Sequence, residues 1–85
     1  MNKIFWKPKA TKQIGKIKNS AMQKKIYTGA QVLSGFPNCQ GVKKLTNHEY
    51  SYRLRIGNYR LFFEFDGGIH VIEIEEVKKR DENTY

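Results

Sequence analysis

The first 48 residues of this 85-residue chain contain no aspartate or glutamate. Ten lysines occupy the same stretch, whereas residues 49–85 hold six basic and eight acidic residues. The formal net charge of +8 is therefore concentrated in the first half of the chain. A domain this basic favours partners rich in phosphate, or an acidic protein. The alternative interpretation is a solvated lysine surface without a binding role.

Cysteine is scarce and long apolar runs are missing. Cys39 is the single cysteine, so no internal disulfide can form, which fits a reducing compartment and predicts a cytoplasmic protein. A membrane-spanning helix needs roughly 20 consecutive apolar residues, and the apolar runs here are only a few residues long. We expect no membrane contact and no signal peptide. The length predicts one domain over residues 1–85.

Several sequence patterns of enzymes are also missing. The two histidines, His48 and His70, are predicted to be surface residues without a role. The spacing of histidine and cysteine does not suit a metal site, and no glycine-rich phosphate loop or nucleophile–base–acid triad is recognisable. We therefore expect neither metal nor cofactor.

The first half of the chain has the periodicity of helices. A short apolar run at residues 4–6 predicts a strand, and Pro8 suits the first turn of a helix that follows it. Residues 8–35 are predicted to form two antiparallel helices, the second opened by a capping box of Ser20 and Gln23. Their apolar stripes comprise Ala10, Ile14 and Ile17, then Met22, Ile26, Ala30 and Leu33.

The second half changes to a period of two, which is typical of strands. Apolar and polar residues alternate over 50–56 and again over 59–65, around a Gly57-Asn58 turn of the II′ kind. A third strand is predicted over 69–77, and residues 42–45 are a candidate for another. The expected fold class is α+β, with two N-terminal antiparallel helices on one face of a mostly antiparallel sheet of four or five strands.

Three arginines follow from this alternation. Arg53, Arg55 and Arg60 are expected on one sheet face, and a tight hairpin brings Arg55 and Arg60 close together. Neighbouring like charges destabilise a sheet unless an anion or water relieves them, so this cluster is a candidate phosphate site. The alternatives are a solvated outer sheet face or an ion pair of Arg60 with Glu64 or Glu73.

These residues occur in a recognisable pattern. Lys43-Lys44-Leu45 precedes segment 52–60, which reads YRLRIGNYR, and Lys78-Lys79-Arg80 with Tyr85 ends the chain. This pattern resembles the RelE/ParE toxin superfamily, and RelE-type toxins in particular, over essentially the whole chain.

The resemblance implies a metal-independent endoribonuclease that cuts mRNA in the ribosomal decoding site and thereby inhibits translation. In such toxins the ribose 2′-OH attacks the adjacent phosphate, and no cofactor takes part. Carried over by position, Arg60 would clamp the phosphate, Arg80 would stabilise or protonate the leaving group, and Tyr85 would act as base or stacking residue. Arg53 and Arg55 would bind charge only, because arginine stays protonated.

The resemblance also implies contacts and partners. Lys43, Lys44 and Lys79 are expected to bind RNA, and the partners would be a cognate acidic antitoxin, the ribosome and mRNA. Any contact with DNA is expected only through the antitoxin complex. The alternatives are a gyrase-poisoning toxin of the ParE branch, or a non-catalytic nucleic-acid-binding module of the same fold.

Overall fold

The computed structural model of the protein describes residues 1–80. The elements in chain order are β1 (Lys3–Trp6), α1 (Pro8–Gly15), α2 (Ser20–Ala30), a 3-10 helix (Gln31–Gly35), β2 (Val42–Lys44), β3 (Tyr52–Ile56), β4 (Tyr59–Asp66) and β5 (Val71–Lys79). No helix within residues 1–80 is long and apolar enough to cross a membrane.

The five strands form one sheet in the order β1-β5-β4-β3-β2. β1 runs parallel to β5, and every other neighbouring pair is antiparallel. α1 packs against β5 and α2 against β3, which places the helices over one face of the sheet. The predicted α+β fold class, with two helices on a mostly antiparallel sheet, is confirmed.

Asn19 and Gln23 hold the helix pair together, and their hydrogen bonds differ from those of the predicted capping box. α2 is capped by Asn19, whose Oδ1 accepts a hydrogen bond from the backbone N–H of Met22 at 3.1 Å, so Ser20 is not the cap. The Gln23 amide instead donates to the carbonyls of Ile14 at 3.1 Å and Ile17 at 2.7 Å. Gln23 therefore satisfies backbone acceptors at the end of α1 rather than at the start of α2.

The core lies between the helices and the sheet. Ile14, Ile26 and Leu33 pack from the helical side onto Leu61 and Phe63, and all five side chains are almost fully buried. Gly29 allows α2 to approach β3 closely, since a Cβ atom at this position would lie 2.9 Å from Cδ1 of Ile56. Burial of this apolar face holds the opposite sheet face in a fixed register.

A β-bulge in β5 shifts the alternation between residues that face the helices and residues that face away from them. The pairing shifts between Phe62 and Phe63, which lie opposite Glu76 and Ile74, so Glu75 is an extra residue without a β4 partner. The insertion returns Val77 to the helix-covered face together with Ile74. The predicted strand over 69–77 begins two residues too early, because Ile69 and His70 belong to the preceding turn.

Candidate functional site

The face of the sheet that lies away from the helices, called the outer face below, carries the arginines. Lys43 of β2 pairs with Arg53 of β3, and Arg53 pairs with Phe62 of β4. Arg55 lies two residues further along β3 and on the same face as Arg53. The predicted placement of the arginines on one face follows from this register.

Arg55 and Arg60 lie directly opposite each other across the β3–β4 hairpin. Gly57 has a φ of +56°, the left-handed conformation that the first central position of a type II′ turn requires. The N–H of Arg55 is bonded to Gly41 of the β2 side, so Arg55 and Arg60 form the non-hydrogen-bonded kind of pair, in which side chains lie closer. Lys78 of β5 flanks Arg60 on its other side.

Arg60 is only 6% exposed although it is charged. Its guanidinium donates to the carbonyl oxygens of Gly57 at 3.4 Å and Tyr59 at 3.2 Å, both long contacts. The Nε atom is buried and has no hydrogen-bond partner. Within residues 1–80, Arg60 makes no ion pair, and Glu64 and Glu73 lie opposite each other instead. A buried cation with an unused donor is costly to the fold, which makes Arg60 a candidate anion-binding residue.

These cations surround a cleft of about 480 Å³. The cleft is lined by Lys43, Leu45, His48, Arg53, Arg55, Arg60, Phe62, Lys78 and Arg80, and is called the cationic cleft below. Six of the nine lining residues are basic, and none that lines the cleft within residues 1–80 is acidic, so this part of the chain concentrates positive potential on a concave surface. Its volume is in the range of small-molecule and nucleotide sites, which begin at roughly 300 Å³.

The structure brings most, but not all, of the sequence-predicted residues into this cleft. Arg80 reaches it because its backbone N–H bonds to Asn58 of the hairpin turn. Lys44 and Lys79 do not reach it, since they pair with Tyr52 and Tyr59 on the helix-covered face. Tyr85 lies outside the described residues.

Three aromatic residues of the site were not predicted. The His48 ring stacks on Phe62 with a centroid distance of 5.0 Å and an interplanar angle of 16°, and Tyr50 lies 5.8 Å from Phe62. A signal for Phe62 was present, because its alternation with Arg60 and Glu64 in the sequence already places it on the outer face. The position of His48 in a loop gave no such signal.

Among the described residues, Glu76 is the buried carboxylate beside the cationic cleft, at 6% exposure. Burial alone would raise its pKa, but Lys78, the Tyr50 hydroxyl and Lys9 together lower the pKa below its ordinary value. The Nζ atoms of Lys9 and Lys78 both lie 3.6 Å from the same carboxylate oxygen. Glu76 is therefore ionised and anchors Lys78 at the edge of the cleft.

Tyr50 is held by the same carboxylate. Burial and the neighbouring Glu76 charge raise the pKa of Tyr50 to about 12, so its hydroxyl stays protonated and donates to Glu76. Over residues 1–80, no group of three or more histidine, cysteine, aspartate or glutamate side chains could hold a metal ion.

Comparisons with known proteins agree on the kind of protein. The family model for the ParE toxin of type II toxin–antitoxin systems (parDE) matches residues 4–84. Among curated protein sequences, none matches the chain.

Three solved structures share the fold. The toxin–antitoxin complex RelBE2 of Mycobacterium tuberculosis aligns at 22% identity over 93% of this chain and 98% of that chain, with a TM-score of 0.79. The archaeal RelE–RelB complex of Pyrococcus horikoshii aligns at 21% identity over 95% of this chain and 97% of that chain, with a TM-score of 0.76. The isolated E. coli RelE toxin aligns at 17% identity over 96% of this chain and 87% of that chain, with a TM-score of 0.77.

The fold and the family match together define a toxin of a type II toxin–antitoxin pair. The chain belongs to the ParE toxin family, within the RelE/ParE superfamily.

Proposed function

We propose that this toxin is a ribosome-dependent endoribonuclease of the RelE kind, which cleaves mRNA in the decoding site and so inhibits translation. The observation that carries the proposal is the buried, unpaired Nε donor of Arg60, beside a cleft that six basic side chains of the described residues line. Such a cleft suits the phosphodiester of a single strand, because the developing phosphorane carries more negative charge than the ground state. Its fold neighbours include the isolated E. coli RelE toxin.

The proposed reaction needs no metal. The 2′-oxygen attacks the neighbouring phosphorus, a cyclic phosphate forms, and the bond to the 5′-oxygen breaks as that oxygen takes up a proton. Arg60 and Arg55 would stabilise the equatorial oxygens, with Arg53 and Lys43 along the strand, and Arg80 would neutralise the leaving oxygen. Since arginine stays protonated, the base must be another group.

Tyr85 is the residue proposed as the base or as a stacking group, carried over from the resemblance. Lys44 and Lys79 are retained as RNA-binding residues only through their contribution to the overall positive field, because they lie off the cleft.

The proposed partners follow from charge and from the neighbours. A net charge of +8 suits an acidic antitoxin, and the M. tuberculosis and P. horikoshii neighbours are toxin–antitoxin complexes. In the free toxin, ribosomes and mRNA would be the targets, which places its action in the cytoplasm. Contact with DNA would arise only through the antitoxin complex.

The test is to map mRNA 5′ ends after brief induction of the toxin, with Arg60→Ala and Lys24→Ala as paired variants. We expect cuts that follow the reading frame. Arg60→Ala should reduce cleavage by about 10²–10³-fold, the effect of removing one preorganised donor to a developing charge. Lys24 lies on α2, across the sheet from the cleft, so Lys24→Ala should cleave normally. Cleavage by Arg60→Ala within a few-fold of wild type contradicts the proposal.

The family match favours a second candidate, a gyrase-poisoning toxin of the ParE branch. On that hypothesis growth stops and DNA damage signalling rises while messages stay intact. Intact messages with normal growth would instead support a non-catalytic nucleic-acid-binding module, which should bind RNA in a strongly salt-dependent way without cutting it.

A further inference from the structure

One wall of the cationic cleft is aromatic rather than charged. Phe62 lies on the outer face between Arg53 and Glu76, although its neighbours in β4 on the same face are Arg60 and Glu64. A large apolar side chain among charges on a partly exposed face has no core to fill. The His48 ring covers it at 5.0 Å with the two planes only 16° apart.

The His48 ring is held in place from two sides. Phe62 supports one face of the imidazole, and the Nδ1 atom accepts a hydrogen bond from the backbone N–H of Tyr50 at 3.0 Å. Tyr50 is in turn fixed through its hydroxyl by the Glu76 carboxylate. His48 nevertheless remains exposed and lines the cleft, so a flat ring with a fixed orientation faces the space in front of the arginines.

We propose that His48, supported by Phe62, is a stacking platform for one unpaired base of the bound RNA. Every base has a π-face that an aromatic ring can stack on. A ring whose orientation is fixed beforehand loses less conformational freedom when a base binds. Phe62 and Arg60 are two residues apart on one strand face, roughly 7 Å along the strand. A nucleotide whose phosphate lies on Arg60 can therefore place its base on His48.

This inference rests on the proposed function and adds to it the recognition of a base beside the phosphate contacts. It assigns His48 a part in positioning the strand and none in proton transfer. The phenyl ring of His48→Phe should therefore replace the imidazole, whereas His48→Ala should not.

The experiment uses ribosomes that have a vacant decoding site and are programmed with a short synthetic message. It measures single-turnover cleavage of this message by the full-length toxin. Each codon position in turn carries an abasic ribose, which keeps the 2′-OH and removes the base. We expect the abasic substitution at one position to slow the wild-type toxin by roughly five- to a hundred-fold, the range of one lost base–aromatic stack. His48→Ala should slow cleavage of the intact message by a similar factor and lose its sensitivity to that abasic position.

His48→Phe should cleave within a few-fold of wild type and keep the abasic sensitivity. His70→Ala is the matched control, since His70 lies in the β4–β5 turn, away from the lining of the cationic cleft, and should change nothing. The inference is overturned if His48→Ala matches wild type, if His48→Phe is as slow as His48→Ala, or if His48→Ala slows every message without losing the abasic effect. In all three cases the proposed function is still supported if the wild-type toxin cleaves the message and Arg60→Ala does not. Absence of cleavage by the wild-type toxin overturns both.

Discussion

Arg60 and Glu76 are both buried and both charged, but within residues 1–80 only Glu76 has oppositely charged partners. The difference separates a structural charge, Glu76, from a candidate binding charge, Arg60. Glu76 is compensated by Lys9 and Lys78 and so is stable without a ligand. Arg60 has Arg55 and Lys78 as cross-strand neighbours, and its burial is compensated only by two long contacts to carbonyl oxygens. A bound phosphate would compensate the buried positive charge of Arg60.

The compensation of Glu76 predicts a pH dependence of stability. Its pKa is lowered in the folded protein relative to the ordinary value of 4.5, so the unfolded chain binds the proton more readily. The stabilising contribution is therefore complete above that ordinary value, and it is lost as the pH falls through the lower folded pKa. We expect Glu76→Gln to lower the free energy of unfolding at neutral pH and to flatten its decline in acid.

The measurement is urea unfolding of wild type and variant at a series of pH values between about 3 and about 7. Glu73→Gln is the matched control, because the Lys7–Glu73 pair is exposed and contributes little. A variant that keeps the wild-type slope of stability against pH would show that Glu76 is not held in the ionised form by its neighbours.

At the scale of elements, sequence periodicity predicted the order of helices and strands because apolar alternation decides which face is buried. The strand over 59–65 and the turn at Gly57 followed from period and turn chemistry alone. The capping residue of α2 could not be predicted in this way, because Asn19 and Ser20 are adjacent and equally suitable. The contacts of Gln23 with the carbonyls of Ile14 and Ile17 depend on the position of α1.

The bulge at Glu75 and the stack of His48 on Phe62 were also beyond the sequence. Two glutamates in succession, Glu75 and Glu76, break the alternation of β5, but periodicity cannot say which of them is inserted. His48 lies in a loop, and the periodicity of the sequence does not predict the path of a loop or its contact with Phe62. The arginine cluster was predicted because Arg55 and Arg60 form the second residue pair out from a two-residue turn, whose length sets the pairing.

The contact between the helices predicts a loss of stability on a single substitution. The Gln23 amide donates to two carbonyls from α1 and the residues after it, and Gln23→Ala would leave both without this donor. We expect the free energy of unfolding to fall by about 1–2 kcal/mol, and the melting temperature to fall by about 4–8 °C for each kcal/mol. Thermal unfolding followed by circular dichroism measures this.

Gln31→Ala is the control, because Gln31 is exposed at the start of the 3-10 helix. Equal melting temperatures for the two variants would mean that water replaces the Gln23 contacts at no loss. Cleavage by Gln23→Ala should be retained below its melting temperature, since Gln23 lies on the helix-covered side of the sheet.

At the scale of the whole molecule, positive charge is widespread, and the outer face gathers six basic side chains around one concave surface. Lysines of the helices, such as Lys24, are spread over the other side of the molecule. On the proposed function they would raise the overall field that attracts an acidic partner or RNA, whereas the cationic cleft would supply the defined contacts to phosphate. The two contributions are separable, because ion release on binding counts phosphate contacts and not net charge alone.

This separation predicts how salt weakens binding of a short fluorescently labelled single-stranded RNA, measured by anisotropy at several salt concentrations. The logarithm of the association constant should fall linearly with the logarithm of salt concentration, by about 0.7 for each phosphate neutralised. Arg55→Ala removes a cleft contact and should reduce this slope by about 0.7. Lys24→Ala removes the same charge from the helical side and should leave the slope unchanged. Equal changes for the two variants would mean that RNA is bound diffusely over the basic surface, and the phosphate site at Arg55 and Arg60 would have to be abandoned.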